Sequence, residues 1–477
     1  MPAKGRISLL LLLSPIAASA GEVHFKITRL VLERDEIPGI GLVTSVNNLV
    51  VNNAGQWIVE LDTDHPDPNA DVLLLRDGVV YLREGQAIDP PPATISSFDS
   101  VTLNSAGDSA FNFFLDGTGG LNNDSGVYFN TNLLIQESDL VNLPEFSPST
   151  PYIGFFDVKI NDAGRLLLMA SIDDPNIPTS VDRALILLDS DGGNETVILK
   201  EGDVPPGQTE QVADFLTGPH ATAINDLGQC IYAVDLTGDT AADIAVYVDH
   251  VLVAQEGLPS GVDGRNWSTL GSAKVDLTNT GNYVISGGLA GDAATNLVIV
   301  SRTGKVVQEG DTFGDIAPWK VTGFGSGPVL MSDREHVLWW GDWDDPDTGR
   351  DTGLFLGDKL LIQEGVTVIN GRTVATVRGI EDGYKISRNG RFIICELELF
   401  DETFGLLEGA FLLEFCLGDV NLDGFVDQID LGIMLATFGK CPGQDGYIAA
   451  ANLDNADPCI TQSDLGVLLS QFGTTCD

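Results

Sequence analysis

A short motif ending in glutamate, usually followed by glycine, recurs along most of this chain and constrains its fold more than any other feature. The clearest copy is 353–365, GLFLGDKLLIQEG, in which apolar residues alternate on both sides of Gly357-Asp358. That pattern predicts two antiparallel strands joined by a tight turn. The repeated glutamates, separated by 51, 53, 64, 55, 53 and 55 residues, are Glu33, Glu84, Glu137, Glu201, Glu256, Glu309 and Glu364. A near-constant spacing of this length indicates a repeat architecture.

A second signal has the same period. Asn-x-x-Gly turns stand at 52–55, 104–107, 161–164 and 225–228, with degraded versions at 278–281 and 387–390 and a version without glycine at 332–335. Asn and Ser side chains cap such turns, and glycine supplies the left-handed residue that closes them. Because two independent signals share one period, coincidence is improbable.

Each unit holds four apolar segments with almost no helical periodicity, which is typical of a propeller blade. The last unit lacks its final strand, whereas residues 26–32 form a final strand without a blade. We therefore predict an all-β fold over residues 21–415: a seven-bladed β-propeller closed by its N-terminal strand. A stacked β-solenoid is the alternative.

Because successive strands of a blade run in opposite directions, the Asn-x-x-Gly turns should lie on one face of such a ring and the acidic loops on the other. These loops are rich in aspartate at 62–67, 173–174, 235–239 and 342–347. Propellers often bind ligands at a rim or central channel, and carbohydrate at the rim is one hypothesis. Tryptophans near 342–347 mark the place for a sugar subsite: Trp267, Trp319, Trp339, Trp340 and Trp343. We expect the repeated glutamates to cap or tie blades rather than to act chemically.

The first twenty residues are typical of a secretory signal, with Lys4 and Arg6, an apolar run and Ala18-Ser19-Ala20. Neither this run nor any later stretch is long enough to span a bilayer. We therefore expect a secreted protein, extracellular or associated with the cell surface. The net charge of −44 disfavours nucleic acid and anionic lipid as partners. It is explained either by a solvated surface or by calcium binding.

After residue 415 the pattern changes to that of a calcium loop. Asp419-Val-Asn-Leu-Asp-Gly-Phe-Val-Asp-Gln-Ile-Asp430 has oxygen ligands at the spacing calcium requires, with Gly424 at the sharp turn. The predicted ligands are Asp419, Asn421, Asp423, the carbonyl of Phe425, Asp427 and Asp430. Ca²⁺ is the only cofactor that the sequence predicts.

This loop and the apolar helix after it resemble the type I dockerin family, whose small all-α modules carry two loop–helix segments; the module here is residues 416–477. The second copy departs from the pattern, because Pro458 occupies the glycine place and cannot make the left-handed turn. A first ligand at Asn452 makes the loop thirteen residues, and one at Asp454 makes it eleven. The sequence leaves open whether this second loop binds calcium. Its candidate ligands are Asn452, Asp454, Asp457, Thr461 and Asp464.

The dockerin resemblance also implies a cohesin-like or other surface protein as partner. Loop positions 10 and 11, which contact cohesins in that family, are Gln428-Ile429 and Gln462-Ser463 here, and they differ from the usual Ser/Thr pairs. Ile433 and Val467 lie opposite the apolar stripes of the two helices, which we expect to form the core of the module. They are candidate docking residues, with packing on the linker or the ring as the alternative.

Four cysteines lie in this short module, whose small core needs covalent support. We predict disulfides Cys416–Cys476 and Cys441–Cys459, whereas Cys230 and Cys395 lie in different repeats and are expected to be buried thiols.

No catalytic motif stands in the sequence, and the five histidines show no metal-ligand spacing. An enzyme is therefore the weaker expectation. The favoured hypothesis is a secreted, non-catalytic binding or scaffold protein displayed or assembled through a calcium-dependent tail. The alternatives are a carbohydrate-active enzyme that degrades polysaccharide and a structural surface or matrix protein. The ring segment resembles secreted bacterial E-G-D repeat proteins whose function is not established.

Overall fold

The computed structural model describes residues 23–120, 122–175, 182–218 and 220–476. The predicted signal segment, residues 1–20, lies outside the described residues. The described strands form seven antiparallel sheets, each a blade of one ring.

The first strand, β1 (Lys26–Leu32), precedes the first blade. The strands of blades 1 to 3 follow in chain order: β2 (Glu36–Ile37), β3 (Gly41–Val51), β4 (Trp57–Thr63), β5 (Val72–Arg76), β6 (Val79–Arg83); β7 (Ala87–Ile88), β8 (Ala93–Leu103), β9 (Ser109–Asp116), β10 (Ser125–Phe129), β11 (Asn132–Gln136); β12 (Tyr152–Ile160), β13 (Arg165–Ile172), β14 (Arg183–Asp189), β15 (Thr196–Lys200).

In blades 4 to 7 the inner strand is split into two short pieces that both pair with the next strand. Their strands are β16 (Val212–Phe215), β17 (Thr222–Ile224), β18 (Cys230–Leu236), β19 (Ile244–Val248), β20 (Val251–Gln255); β21 (Trp267–Thr269), β22 (Val275–Leu277), β23 (Tyr283–Leu289), β24 (Leu297–Ser301), β25 (Gly304–Gln308); β26 (Val321–Gly323), β27 (Leu330–Met331), β28 (Val337–Trp343), β29 (Thr352–Leu356), β30 (Lys359–Gln363); β31 (Val368–Ile369), β32 (Arg372–Val377), β33 (Tyr384–Ile386), β34 (Phe392–Asp401), β35 (Gly405–Glu414). In blade 6 the break contains Gly325 at φ 62° and Pro328, neither of which suits a strand interior.

The inner strands contact one another in a closed cycle, β3–β8–β12–β17–β22–β27–β33 and back to β3. The seventh blade is completed by β1, which pairs antiparallel with β35 from Lys26↔Glu414 to Leu32↔Gly409. The prediction of a seven-bladed propeller closed by its N-terminal strand is therefore confirmed, and the solenoid alternative is wrong.

The hydrophobic core is divided into seven clusters, each between two neighbouring blades. Strands that face a neighbour on both sides are apolar throughout, as in β13, RLLLMASI, where every residue after the arginine is buried. Burial on both faces explains why these strands lack the alternation of a half-exposed sheet.

The repeated Glu-Gly motif ties each blade to the next. The Glu201 carboxylate accepts a hydrogen bond from the main-chain N–H of Arg183 in its own blade (3.1 Å). The next residue, Gly202, has φ 83° and donates its N–H to the Val212 carbonyl of the following blade (2.8 Å). The motif thus has the structural role expected for it. Burial raises the pKa to about 7 for Glu84, Glu137 and Glu201.

The Asn-x-x-Gly turns form a second set of links around the ring. Each Asn caps its own turn through Oδ1, and its Nδ2 donates to a main-chain carbonyl in the next blade. These bonds join Asn52 to Asn104 (2.9 Å), Asn104 to Asn161 (3.2 Å), Asn161 to Asn225 (2.9 Å) and Asn225 to Thr278 (2.9 Å). The Oδ1 cap stabilises the turn in which the Asn lies, whereas the Nδ2 bond links that blade to the next one.

A small helical tail follows the ring, with α1 (Gln428–Thr437), α2 (Gln462–Gln471) and a 3-10 turn at Ala449–Ala451. Both predicted disulfides, Cys416–Cys476 and Cys441–Cys459, are present, and Cys230 and Cys395 are buried free thiols. In the described part of the chain, no helix has the length and apolar character needed to cross a membrane.

The tail packs on the face of the ring that carries the Asn-x-x-Gly turns. Leu422 enters the cluster between blades 6 and 7, and Arg334 from blade 6 donates to the Ala450 carbonyl. The opposite end of the central channel therefore lies away from the tail.

Candidate functional site

A central channel runs between the inner strands. Its half near the Asn-x-x-Gly turns is a cavity of about 170 Å³, and its other half is a cavity of about 220 Å³. Both are lined by Val101, Thr102, Lys159 and Lys385, so they are parts of one passage.

Arg388, in the turn of blade 7, crosses the end of the channel near the tail. Its Nη1 donates to Asp276 Oδ1 (2.9 Å) and to the Leu277 carbonyl (3.0 Å), and its Nη2 donates to the Ile224 carbonyl (3.2 Å). One guanidinium thus contacts blades 4 and 5 from blade 7.

Basic side chains are concentrated in the middle of the channel of an otherwise acidic protein. Lys159 Nζ lies 2.9 Å from Asp157 Oδ1, whose other oxygen accepts from Thr222 (2.7 Å). Lys385 Nζ lies 3.3 Å from His220 Nε2 and 3.3 Å from Asp382 Oδ1. Burial lowers the pKa of His220 well below its usual value, and it also lowers that of Lys385. His220 is therefore neutral at physiological pH.

Beside the mouth of the channel lies an acidic cleft of about 690 Å³ between blades 1 and 7. Arg378 is its only cation among the described lining residues, and it pairs with three carboxylates. Its Nε lies 3.0 Å from Glu396 Oε1, and its Nη2 lies 2.9 Å from Glu398 and 3.2 Å from Glu408. Glu60 completes the group, with Oε2 accepting from Asn48 Nδ2 (2.7 Å).

Two of these carboxyl groups hold a proton near neutral pH. Burial raises the pKa of Glu60 to about 7 and, with Glu408 adding to the shift, that of Glu396 to about 8. For Glu396 the loss of hydration outweighs the nearby Arg378. The carboxyls of the cleft can therefore donate as well as accept hydrogen bonds to a polar ligand.

This cleft is not among the sites predicted from the sequence. Its signal was the run Ile393-Ile-Cys-Glu-Leu-Glu398, where two glutamates interrupt an apolar strand. Glu408 is the direct cross-strand partner of Glu398. Like charges placed opposite each other in a sheet are destabilising unless a cation pairs with them, as Arg378 does here.

Most of the tryptophan cluster that was expected to mark a sugar subsite is packed inside the ring. Trp339 and Trp343 are buried, and Trp339 stacks on Phe355 with ring centroids 4.3 Å apart. Trp340 is half-buried and donates its indole N–H to the Val377 carbonyl (2.9 Å). These rings fill the wedges around blade 6 because large flat side chains suit the space between sheets.

The first tail loop is folded around its carboxylates. Asp430 accepts from the main-chain N–H of Val420 (2.7 Å) and of Asp427 (2.9 Å), and Asp419 accepts from that of Gly424 (2.8 Å). Gly424 has φ 87°, as the sharp turn requires. Asp419 and Asp430 are buried, and burial, with Asp430 and Asp423 adding, raises the pKa of Asp419 to about 6.

The second loop repeats this arrangement with one extra residue. Asp464 accepts from the N–H of Leu453 (2.7 Å) and of Thr461 (2.7 Å), which makes Asn452 the equivalent of Asp419. The thirteen-residue register is therefore the structural one. Asn452 is buried, and its Oδ1 has no hydrogen-bond partner among the described residues. Asp454 and Asp457 accept main-chain bonds on the exposed side of this loop.

The oxygen ligands that each loop offers decide whether it could bind a cation. Within the ranges that the structure describes, no three His, Cys, Asp or Glu side chains are arranged to hold a metal ion. The ligand types and order in the first loop nevertheless fit calcium, and its mutually repelling carboxyls are held close together. In the second loop Asn452 supplies an unused buried oxygen.

The predicted partner residues of the tail separate into two groups. Gln428, Ile429, Gln462 and Ser463 are exposed, at the first turn of each helix. Ile433 and Val467 are half-buried against the core of the tail, so the expectation that they lie exposed opposite it is wrong.

The exposed apolar residues are instead Leu435 and Phe438 on α1, with Leu469 and Phe472 at equivalent places on α2. The core contains Met434 and Leu468, together with Val426 and Ile460 from the loops. Because the loops supply half of the core, each helix is rotated from the orientation that its own stripe predicts.

The strand order and the tail define a class: a seven-bladed β-propeller followed by a disulfide-linked, two-helix tail. A model described as a family of unknown function, DUF7453, matches residues 20–250. No curated protein matches the chain.

Similar solved structures include other propellers, at 9–10% identity. The Dos1 propeller has a TM-score of 0.33, with 82% of this chain and 81% of that one covered. Polysaccharide lyase Uly1 has a TM-score of 0.35, with 80% and 91% covered. The α-L-arabinofuranosidase Arb93A from Fusarium graminearum has a TM-score of 0.31, with 82% and 98% covered. Similarity at this level is limited to the fold.

Proposed function

We propose that this chain is a secreted, non-catalytic binding protein. Its ring takes a polar ligand at the acidic cleft, and its calcium-binding, dockerin-like tail attaches the ring to a surface partner. The observation that carries the proposal is the position of the tail. It packs on the turn face at blades 6 and 7, and the cleft beside the other mouth of the channel lies away from it. Two disulfides and the absence of a membrane-crossing helix among the described residues agree with an extracellular location.

Polyhydroxylated ligands suit the cleft best, because carboxylates accept and carboxylic acids donate hydrogen bonds to hydroxyl groups. A glycan array probed with the full chain tests this. We expect bound glycans to be lost in Glu396→Gln/Glu408→Gln and retained in Glu402→Gln, an exposed carboxyl of the same blade. An unlabelled array, or equal labelling by both variants, would contradict carbohydrate binding in the cleft.

Calcium at the first loop is part of the same proposal. The residues that would hold it are Asp419, Asn421, Asp423, Asp427 and Asp430, with the Phe425 carbonyl. Calorimetric titration of the full chain should give one clear calcium event, lost in Asp419→Ala. A chain that binds no calcium would remove the tail's proposed role.

A carbohydrate-active enzyme is the second candidate, and one observation favours it. Glu396, whose pKa burial raises to about 8, lies with Glu408 in a cleft large enough for a sugar. A protonated and an ionised carboxyl together are the requirement for acid-assisted glycoside cleavage. Reducing-sugar release from a polysaccharide panel, abolished in Glu396→Gln, would establish it. Binding without release supports the first candidate.

A further inference from the structure

One lysine of the central channel, Lys385 of β33, lies where the two cavities meet. It lines both the cavity of about 170 Å³ and that of about 220 Å³, and its side chain is 19% exposed. Glu381 and Asp382, just before β33, line the 220 Å³ cavity and also the acidic cleft. A small molecule that enters beside the cleft therefore meets the Lys385 amine inside the ring.

The surroundings of this amine offer little to an ammonium group. Its Nζ lies 3.3 Å from Asp382 Oδ1, longer than the roughly 2.7–2.9 Å that is usual for a charged N–H···O bond. Its other neighbour, His220 Nε2 at 3.3 Å, donates to the Glu381 carbonyl (2.5 Å), because a carbonyl can only accept. That nitrogen therefore has no lone pair for Lys385. Among the described residues, Asp382 is the one acceptor for an ammonium group with three N–H donors.

The charges around the amine act in the same direction. Besides Asp382, the charged and titratable groups near it are Asp99, His220, Lys159 paired with Asp157 (2.9 Å), and Lys274 near Glu381 (3.7 Å). Burial lowers the pKa of Lys385 despite Asp382, and the ammonium of Lys159 adds to the shift. The channel therefore contains an amine that loses its proton more readily than a surface lysine does.

A desolvated lysine amine is a nucleophile toward carbonyl compounds. We propose that Lys385 binds a small hydroxyaldehyde covalently, as an imine, inside the channel. The hydroxyl of the ligand has partners on the remaining walls of the 220 Å³ cavity, where Thr102, Thr217 and Asp99 offer donors and acceptors. Neither a ligand in the acidic cleft nor calcium in the tail is needed for this reaction.

The reaction balances with the groups present. Nζ gives one proton to Asp382 and then attacks the aldehyde carbon through its lone pair. A second N–H proton moves to the carbonyl oxygen, which becomes the hydroxyl of a carbinolamine. Asp382 returns its proton to that hydroxyl, which leaves as water while the C=N bond forms. The product is a protonated imine beside the Asp382 carboxylate, and no oxidant or reductant takes part.

Trapping with glycolaldehyde tests the proposal on the full, disulfide-bonded chain. Sodium cyanoborodeuteride reduces an imine and leaves a deuterated hydroxyethyl group on the lysine, which peptide mass spectrometry locates. Lys320, an exposed lysine of blade 6, is the internal control. We expect the labelling rate of Lys385 to reach its plateau at a lower pH. Near pH 7, the fraction of its limiting rate that Lys385 reaches should exceed that of Lys320 by about tenfold.

Three results would overturn the proposal: no label on Lys385 while Lys320 is labelled, identical pH profiles for the two lysines, or an adduct on Lys385 without deuterium. The class of ligand has its own test, in which propionaldehyde replaces glycolaldehyde. Relative to Lys320, Lys385 should then react about fivefold more slowly, as expected for the loss of one hydrogen bond. An unchanged ratio would overturn the preference for a hydroxyaldehyde.

Discussion

The links between Asn-x-x-Gly turns make Asn225 a sensitive point of the ring. Asn225 is 1% exposed; its Oδ1 accepts from the N–H of Leu227 and Gln229, and its Nδ2 donates to the carbonyl of Thr278 in the next blade. Replacement by alanine removes the cap and the link together. Replacement by threonine reproduces blade 5, where Thr278 Oγ1 caps its own turn by accepting from Asn282 (3.0 Å). Asn225→Thr therefore removes the link and keeps the main bond of the cap, the one from the N–H of residue 229.

The magnitude follows from the hydrogen bonds that are lost. Thr278 is fully buried, and its carbonyl keeps the bond from the N–H of Gly281 (3.0 Å) but loses its second donor, which water cannot replace, at a cost of about 1.5 kcal/mol. Loss of the cap adds a similar amount, because two N–H groups lose their acceptor. We expect Asn225→Ala to lower the free energy of unfolding by about 3 kcal/mol and Asn225→Thr by about half of that.

Urea unfolding followed by tryptophan fluorescence, at fixed calcium, measures both variants. Asn142→Ala, an exposed loop asparagine, is the control and should stay within about 0.5 kcal/mol of the unmodified chain. If Asn225→Ala were equally harmless, the turns would not hold the blades together. If Asn225→Thr cost as much as alanine, the cap alone would explain the effect.

Three further predictions follow from burial and chain connectivity. Because folding raises the pKa of Glu84, Glu137 and Glu201 from 4.5 to about 7, their contribution to stability is complete below about pH 4.5 and is lost as pH rises through 7. The urea midpoint should therefore fall between about pH 5 and 7, each group contributing up to about 1.4 kcal/mol per pH unit, and level off above about pH 8, and Glu84→Gln should flatten the slope. Loss of Cys416–Cys476, which spans 60 residues, should cost about 4 kcal/mol, and loss of Cys441–Cys459, which spans 18, about 3 kcal/mol, in calorimetry of the paired serine variants. Cys230, with a pKa that burial raises to about 12, and Cys395 should resist a maleimide reagent in the native state and give two labels after unfolding without reductant.

The periodic part of the fold could be predicted because each blade repeats the same local chemistry. Glu-Gly and Asn-x-x-Gly mark positions where the backbone needs a carboxylate or amide cap beside a left-handed residue, and such needs are visible in a single sequence. The closing strand followed from the incomplete last unit. Both disulfides followed from the small size of the tail.

The candidate cleft was not predictable in the same way. Glu60, Arg378, Glu396 and Glu408 come from both ends of the ring segment, and blades 1 and 7 meet only when the ring closes, with β1 paired to β35 and β3 packed on β34. The buried faces of the tail helices were not predicted for a related reason. A helical stripe shows which residues are apolar, but the packing of the loops determines which of them are buried. Arg334 could be seen in a turn without glycine, although its contact with Ala450 could not.

The pairing of Lys26 with Glu414 has a consequence for how the molecule is made. β1 leaves the ribosome first and stays without its partner until β35, the last strand of the ring, has also emerged. Every product truncated before β35 therefore exposes a strand edge with unpaired N–H and C=O groups to other chains. A premature stop within the last blade should yield an aggregation-prone, protease-sensitive fragment instead of a smaller functional ring.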